Sequence, residues 1–147
     1  EEGNELFRCM SLWVLMDVDS RAMILPGKSG VVVDGTLTGT ELTVPHAIAS
    51  RPMEQSVQRT VGFTLLDRNG HMNNTRYIDW LCDLLPSKFH EDHPMKAVTI
   101  CYMSEALEGQ QLQLSWNEGA VFRLDGSVSE TDVSAGHTRI FSAEAQF

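Results

Sequence analysis

Apolar and polar residues alternate most regularly from about residue 55 onward. Residues 57–65 read as a strand. A polar turn follows, then a helix over about 73–85, stopped by Pro86, whose ring cannot continue a helix. Within it Tyr77, Leu81, Leu84 and Leu85 share one face by their three- and four-residue spacing, while Ile78, Trp80 and Cys82 add apolar groups elsewhere. A helix apolar nearly all round is a buried one. Residues 87–94 form a polar link with room for one short helical turn. Four strands follow, at 95–103, 110–116, 120–128 and 137–147. The breaks are Glu108-Gly109, Asn117-Glu118-Gly119 and a loop over 129–136, and the first two suit tight antiparallel connections. Phe122, Leu124, Ile140 and Phe141 are expected in the core. One strand, a helix and four antiparallel strands predict an α+β layer arrangement, with the helix on the concave side of a curled sheet.

Upstream the pattern is weaker. Residues 5–16 are rich in apolar and aromatic side chains and read as a strand, with 21–25 as its hairpin partner after Asp17-Val18-Asp19-Ser20. A lone hairpin cannot cover its own apolar face, so this one must lean on other structure. Residues 27–55, with six Gly and Pro positions spread through them (Gly27, Gly30, Gly35, Gly39, Pro45, Pro52), read as a connector around the core. Val31-Val32-Val33 and residues 37–44 are candidate short extended pieces.

Composition narrows the class. At 147 residues and 42% apolar content the chain can bury one good core, and disorder is not expected. No apolar run approaches the roughly 20 residues that span a bilayer, and no signal peptide is evident. The chain begins with Glu1 rather than Met, the pattern of a processed form or a fragment. Cys9, Cys82 and Cys101 are odd in number and scattered, which predicts reduced thiols in a cytoplasmic protein. Five histidines lack metal-ligand spacing, and His90 and His93 read as surface residues, so no metal or cofactor is expected. A net charge of -9 argues against nucleic acid. An acidic carrier protein as partner would need a local basic patch, for which Arg51, Arg59, Arg68, Arg76, Lys88 and Lys96 are the candidates.

Candidate chemistry concentrates in Asp67-Arg68-Asn69-Gly70-His71-Met72-Asn73-Asn74, directly before the helix. It holds a carboxylate, an imidazole and three side-chain amides, more than a capped polar turn requires. The wider run Asp67-x-Asn69-x-His71-Met72-Asn73-Asn74-x-x-Tyr77-x-x-Trp80 resembles the signature of hotdog-fold thioesterases, and its fullest form is similar to that of acyl-acyl-carrier-protein thioesterases. In that family the next strand carries a Tyr-x-x-Glu, matched here by Tyr102 and Glu105. Trp13-Val14-Leu15-Met16-Asp17, with Arg21 and Pro26, resembles the last hairpin of the first of the family's two hotdog repeats. The resemblance covers residues 5–26 and about 57–112. It implies a partial first repeat and connector over 1–54, a complete hotdog unit over 55–147, and further elements of the first repeat upstream of Glu1.

The resemblance gives catalytic weight to Asp67, Asn69, His71 and Glu105, and makes Asn73, Asn74 and Tyr77 candidate substrate-binding residues. Attack of water on a thioester carbonyl puts negative charge on its oxygen, and preorganised donors at that oxygen are usually the largest catalytic effect. The helix N-terminus supplies free N–H groups and a positive dipole end. Asn69 and Asn73 are expected at or just before it, with Asn69 and neighbouring amides holding the oxygen, although Asn73 serves equally as a plain cap. His71, with an ordinary pKa near 6.5, and Glu105 are both candidates for the general base. Asp67 either orients the turn or simply satisfies it. Plant members of the family often carry Cys after the strand glutamate; here the position is Ala106, which excludes a cysteine nucleophile there, and Cys101 reads as packing.

Three readings stay open: hydrolysis of acyl-acyl-carrier protein, hydrolysis of an acyl-coenzyme A on the same fold, and a non-catalytic acyl-binding or dimerisation module. A dehydratase fits the Asn-Asn pair and Tyr-x-x-Glu less well. Hotdog units commonly pair their sheets, so a homodimer is expected, or a pseudo-dimer completed by the hairpin of residues 1–26.

Overall fold

A computed structural model describes residues 6–20, 22–32, 42–129 and 137–147. By its contacts the chain divides into two units, Glu1–His46 and Ala47–Phe147.

In the first unit β1 (Leu15–Met16) and β2 (Met23–Ile24) pair antiparallel, with Leu15 opposite Ile24 and Met16 opposite Met23. The turn between them is closed by Asp17, whose carboxylate accepts from the Ser20 amide at 2.8 Å and the Ser20 hydroxyl at 2.7 Å. Those bonds hold the Asp17 carboxyl below its ordinary pKa. The hairpin is far shorter than the expected strand over 5–16. Residues 6–14 have no regular structure, and Leu6, Phe7, Leu12 and Trp13 are exposed. Strand-forming composition is only a tendency, and among the described residues no partner strand accepts the ladder bonds. A one-turn helix, α1 (Pro26–Ser29), follows where a connector was expected, with Pro at its start and Gly30 closing it at φ 68°. Val31, Val32 and residues 42–44 are irregular, whereas Val33, residues 37–41 and Arg21 lie outside the described residues.

The second unit runs β3 (Gln55–Thr60), a 3-10 turn (Phe63–Leu65), α2 (Asn74–Asp83), α3 (Ser87–Asp92), β4 (Ala97–Tyr102), β5 (Gln111–Asn117), β6 (Phe122–Ser129) and β7 (His137–Gln146). The five strands form one antiparallel sheet in the order β3-β5-β6-β7-β4. Period-two alternation explains the inner face most plainly in β5, where Leu112, Leu114 and Trp116 are buried between Gln111, Gln113, Ser115 and Asn117. The strand expected over 57–65 ends at Thr60, and the chain turns into the 3-10 segment after Gly62.

α2 covers this inner face with Tyr77, Trp80 and Leu81, each worth about 1.5–3 kcal/mol when fully buried. It is amphipathic rather than apolar all round: Asn74, Thr75, Arg76, Asp79 and Asp83 face solvent. It also ends at Asp83, with Leu84 as its C-cap and Leu85 buried just beyond. His90 is half-buried, against the surface position expected, because its Nε2 lies 3.0 Å from the Cys82 carbonyl in the last turn of α2.

One register row crosses all five strands: Val57 on β3, Leu114 on β5, Gly126 on β6, Phe141 on β7 and Tyr102 on β4. Beside it the β6–β7 ladder is irregular. Ser127 pairs with Arg139 and Gly126 with Phe141, so Ile140 is an extra residue on β7, a β-bulge. Ile140 and Phe141 consequently both enter the core.

Candidate active site

Asp67 builds the turn. Its Oδ1 accepts from the Asn69 amide at 2.8 Å and the His71 amide at 3.3 Å, while its own amide donates to the His71 carbonyl at 2.8 Å. The Gly70 amide donates to the Asp67 carbonyl at 3.2 Å, with Gly70 at φ 80°, a conformation that side chains resist. An Asp opening a turn and bonding the amide two residues on is a local choice the sequence itself dictates. Asn69 therefore sits in the turn, four residues before the helix cap rather than at the terminus. Its amide is engaged by Asp67 and its side chain is exposed.

Asn73 is the N-cap of α2. Its Oδ1 accepts from the Thr75 amide at 3.0 Å and the Thr75 hydroxyl at 2.9 Å, and the Arg76 amide donates to its carbonyl at 2.9 Å. Asn73→Ala is expected to lower stability by about 1 kcal/mol and Asn73→Ser to recover most of the loss, as read by urea unfolding. The amide of Asn74 has no acceptor among the described residues, so it is the first-turn donor still free to bind a ligand oxygen.

Backbone pairing brings Glu105 to His71. His71 bridges Leu107 antiparallel, and the Met72 amide donates to the Ala106 carbonyl at 2.8 Å, so residues 105–107 run alongside 71–72. Glu105 Oε2 then lies 3.3 Å from His71 Nε2, with the carboxylate half-exposed and the imidazole more covered, at 50% and 23%. β4 ends at Tyr102, so Glu105 stands on the loop after the strand rather than in it. That loop is pinned at both ends. The Met103 and Ser104 amides both donate to the Ile140 carbonyl, at 2.8 and 3.1 Å. Ala106 is fully buried, with its backbone close to the Tyr77 hydroxyl.

Tyr77 is buried beneath the site, edge-on to Tyr102 at 5.4 Å and to Phe141 at 4.7 Å between ring centroids. Burial pushes its hydroxyl pKa up to about 12, so it stays neutral throughout the working range. The Tyr102 hydroxyl, also raised by burial, donates to the Asn74 carbonyl at 2.9 Å and ties the end of β4 to the first turn of α2. The sequence marked Tyr102 as the first residue of the Tyr-x-x-Glu pattern and Ala106 as the position of the plant relatives' Cys, but assigned neither a supporting role for the pair.

Thus the fold brings His71 and Glu105 into side-chain contact and ties Asp67 to both Asn69 and His71 through the backbone. It commits Asn73 Oδ1 to the cap, places Asn74 at the first helical position and sets Tyr77 in the core. An imidazole in contact with a half-exposed carboxylate, beside a helix N-terminus with a free amide, can deprotonate a water and stabilise an oxyanion. Burial and the neighbouring Asp79 and Asp83 raise the Cys82 thiol pKa, which suppresses its thiolate. No group of three His, Cys, Asp or Glu among the described residues is placed to hold a metal, and no helix there is long and apolar enough to cross a membrane.

A buried helix laid on an antiparallel sheet in this strand order is the hotdog fold, and the His71–Glu105 site lies where the helix begins. The chain belongs to the acyl-ACP thioesterase family: residues 50–144 match the model of the acyl-ACP thioesterase C-terminal domain. It is 28% identical over 120 residues to the chloroplastic dodecanoyl-acyl-carrier-protein hydrolase of Cinnamomum camphora, covering 76% of this chain and 31% of that protein. Its fold resembles that of an acyl-ACP thioesterase from Bacteroides thetaiotaomicron, with a TM-score of 0.62 at 18% identity, covering 90% of this chain and 52% of the other. It also resembles a protein described as an oleoyl thioesterase from Lactobacillus plantarum, with a TM-score of 0.57 at 22% identity, over 89% of this chain and 52% of that one. The chain thus spans about half or less of the length of these relatives.

Proposed function

We propose that this chain carries the catalytic unit of an acyl-acyl-carrier-protein thioesterase, which releases a fatty acid by attack of an activated water. The observation that carries this reading is the 3.3 Å contact between His71 Nε2 and Glu105 Oε2 beside the start of α2. A water held by this pair gives up a proton to it as its oxygen attacks the carbonyl carbon. The resulting oxyanion is held by the Asn74 amide, with the Asn69 side chain as a second donor. Collapse breaks the carbon–sulfur bond and expels the thiolate, which takes the proton back, leaving the free acid. Asp67 acts by holding the His71 and Asn69 amides in the turn. Asn73 and Asn74 shape the substrate side at the start of α2, and Tyr77 supports it from the core. Residues 1–54 are read as the tail of a first repeat with its connector, and 55–147 as a complete hotdog unit. The working assembly is a homodimer or a pseudo-dimer. Two features support this: β4 is an edge strand, and Tyr102, Met103 and Leu107 are exposed around Glu105. The compartment is the cytoplasm, or the plastid stroma in a plant; the Cinnamomum camphora relative is described as chloroplastic.

A specific observation favours coenzyme A as the alternative carrier. Arg59 lies 3.6 Å from Asp83, Arg76 lies 2.9 Å from Asp79, and Lys88 lies 3.3 and 3.1 Å from Glu91 and Asp92. Three of the six basic side chains that an acidic carrier protein would use are thus already paired. The test gives the full-length protein one acyl group on each carrier and measures thiol release. Faster kcat/KM on the carrier protein is expected. Faster turnover of the coenzyme A thioester would move the assignment to the alternative, and hydrolysis of neither would leave the binding module.

A further inference from the structure

On the sheet face opposite α2, Arg139 Nη2 donates to Asp125 Oδ1 at 3.1 Å, to the Ile48 carbonyl at 3.2 Å and to the Ser142 hydroxyl. The Ser142 hydroxyl donates in turn to Asp125 Oδ1 at 2.5 Å. Ser142 is fully buried and Asp125 nearly so. Along a regular strand residues 139 and 142, an odd step apart, would point to opposite faces. They meet here because Ile140 is the extra residue of the β7 bulge. A slip that removed the bulge would part Arg139 from Ser142 and leave the Asp125 charge with its main partner gone. The cluster is therefore a lock on the bulged register.

The bulge in turn sets the loop of Glu105. Both the Met103 and the Ser104 amides converge on the one carbonyl of Ile140, at 2.8 and 3.1 Å, immediately before Glu105. The cluster is also not arranged for stability alone. Arg139 Nε is buried without a hydrogen-bond partner among the described residues, a group whose desolvation typically costs about 1–3 kcal/mol. Apolar residues would fill such a position more cheaply.

We infer that Arg139, Asp125 and Ser142 are positioning residues, which hold the Ile140 bulge and through it fix Glu105 against His71 from the far side of the sheet. This rests on the reading of His71 and Glu105 as the catalytic pair. The shift needed to uncouple that pair is small, because misplacement by about 1 Å is enough to cost on the order of 10²-fold in rate.

The test is a double-mutant cycle in the full-length protein with an acyl-acyl-carrier-protein thioester. Arg139→Ala is expected to lower kcat by 10-fold or more with KM little changed, and Arg139→Lys to recover part of it. In a Glu105→Gln background Arg139→Ala should cost nothing further. Amide exchange at Met103 and Ser104 should quicken while that of β5 stays protected. Where Arg139→Ala does not fold, Asp125→Asn combined with Arg139→Gln, which removes both buried charges, is read in the same cycle. Unchanged kcat in folded variants, or losses that multiply with that of Glu105→Gln, overturn the positioning role while leaving the catalytic pair intact. If Glu105→Gln itself keeps full turnover, the catalytic reading falls, and the positioning role with it.

Discussion

Glu105→Gln is expected to lower kcat on an acyl thioester by about 10²–10⁴-fold, the span that general acid–base catalysis contributes, and to change KM little. That is about 3–5 kcal/mol of transition-state stabilisation. Glutamine keeps the length of the side chain and can still bond His71 across the 3.3 Å contact, but it cannot take a proton from water as a carboxylate does. The substitution strands no buried charge, since the carboxylate is 50% exposed, so the fold should be spared. His71→Ala should fall in the same range, and the double variant should be no worse than the worse single, because the two groups act as a unit. Turnover that stays unchanged in both single variants would rule out the pair as the water-activating groups, whatever the family.

The part of this site legible in the sequence was the part written in local spacing. Asp67, Gly70 and His71 make their turn with one another, and Asn73 caps its own helix, so eight consecutive residues carry most of that information. The meeting of Glu105 with His71 depends on a bridge between residues far apart in the chain, and only the family resemblance pointed to it. The fold divides in the same way. Strands β4 to β7 and the helix α2 follow from period and breakers, within a few residues at their ends. The run from residue 6 to residue 14 has strand-like composition but, among the described residues, no strand beside it, and composition alone cannot supply one. The bulge did leave a trace: Arg139-Ile140-Phe141-Ser142 reads polar-apolar-apolar-polar, which a regular strand with one buried face does not tolerate. Its consequence for Glu105 lies in the carbonyl of Ile140, which no side-chain pattern encodes.

Gly126→Ala should unfold the second unit more easily by about 1–3 kcal/mol, the usual cost of overpacking a well-filled core. Two effects oppose each other here. Replacing glycine shrinks the entropy of the unfolded chain, which by itself stabilises by about 0.4–1 kcal/mol where the backbone permits it. Gly126 is not at positive φ, so the backbone does permit it. Space does not. A β-carbon on Gly126 would stand 2.1 Å from Cε1 and 2.6 Å from Cδ1 of Phe141, well inside contact distance. The Phe141 ring is fully buried and held edge-on against Tyr77, so it is not the free end of a flexible chain that can swing aside. The clash therefore outweighs the entropy gain. For a unit of about this size a Tm lower by roughly 5–20 °C is expected. Moving Phe141 would also press on Tyr77, whose ring packs edge-on against Tyr102 at the start of the Glu105 loop, so kcat should fall along with stability. Pairing Gly126→Ala with Phe141→Leu makes room for the methyl group and should be less destabilising than the sum of the two single changes. A Tm for Gly126→Ala at or above that of the parent would mean that Phe141 has somewhere else to go, and that the packing of β6 on α2 is looser than this geometry implies.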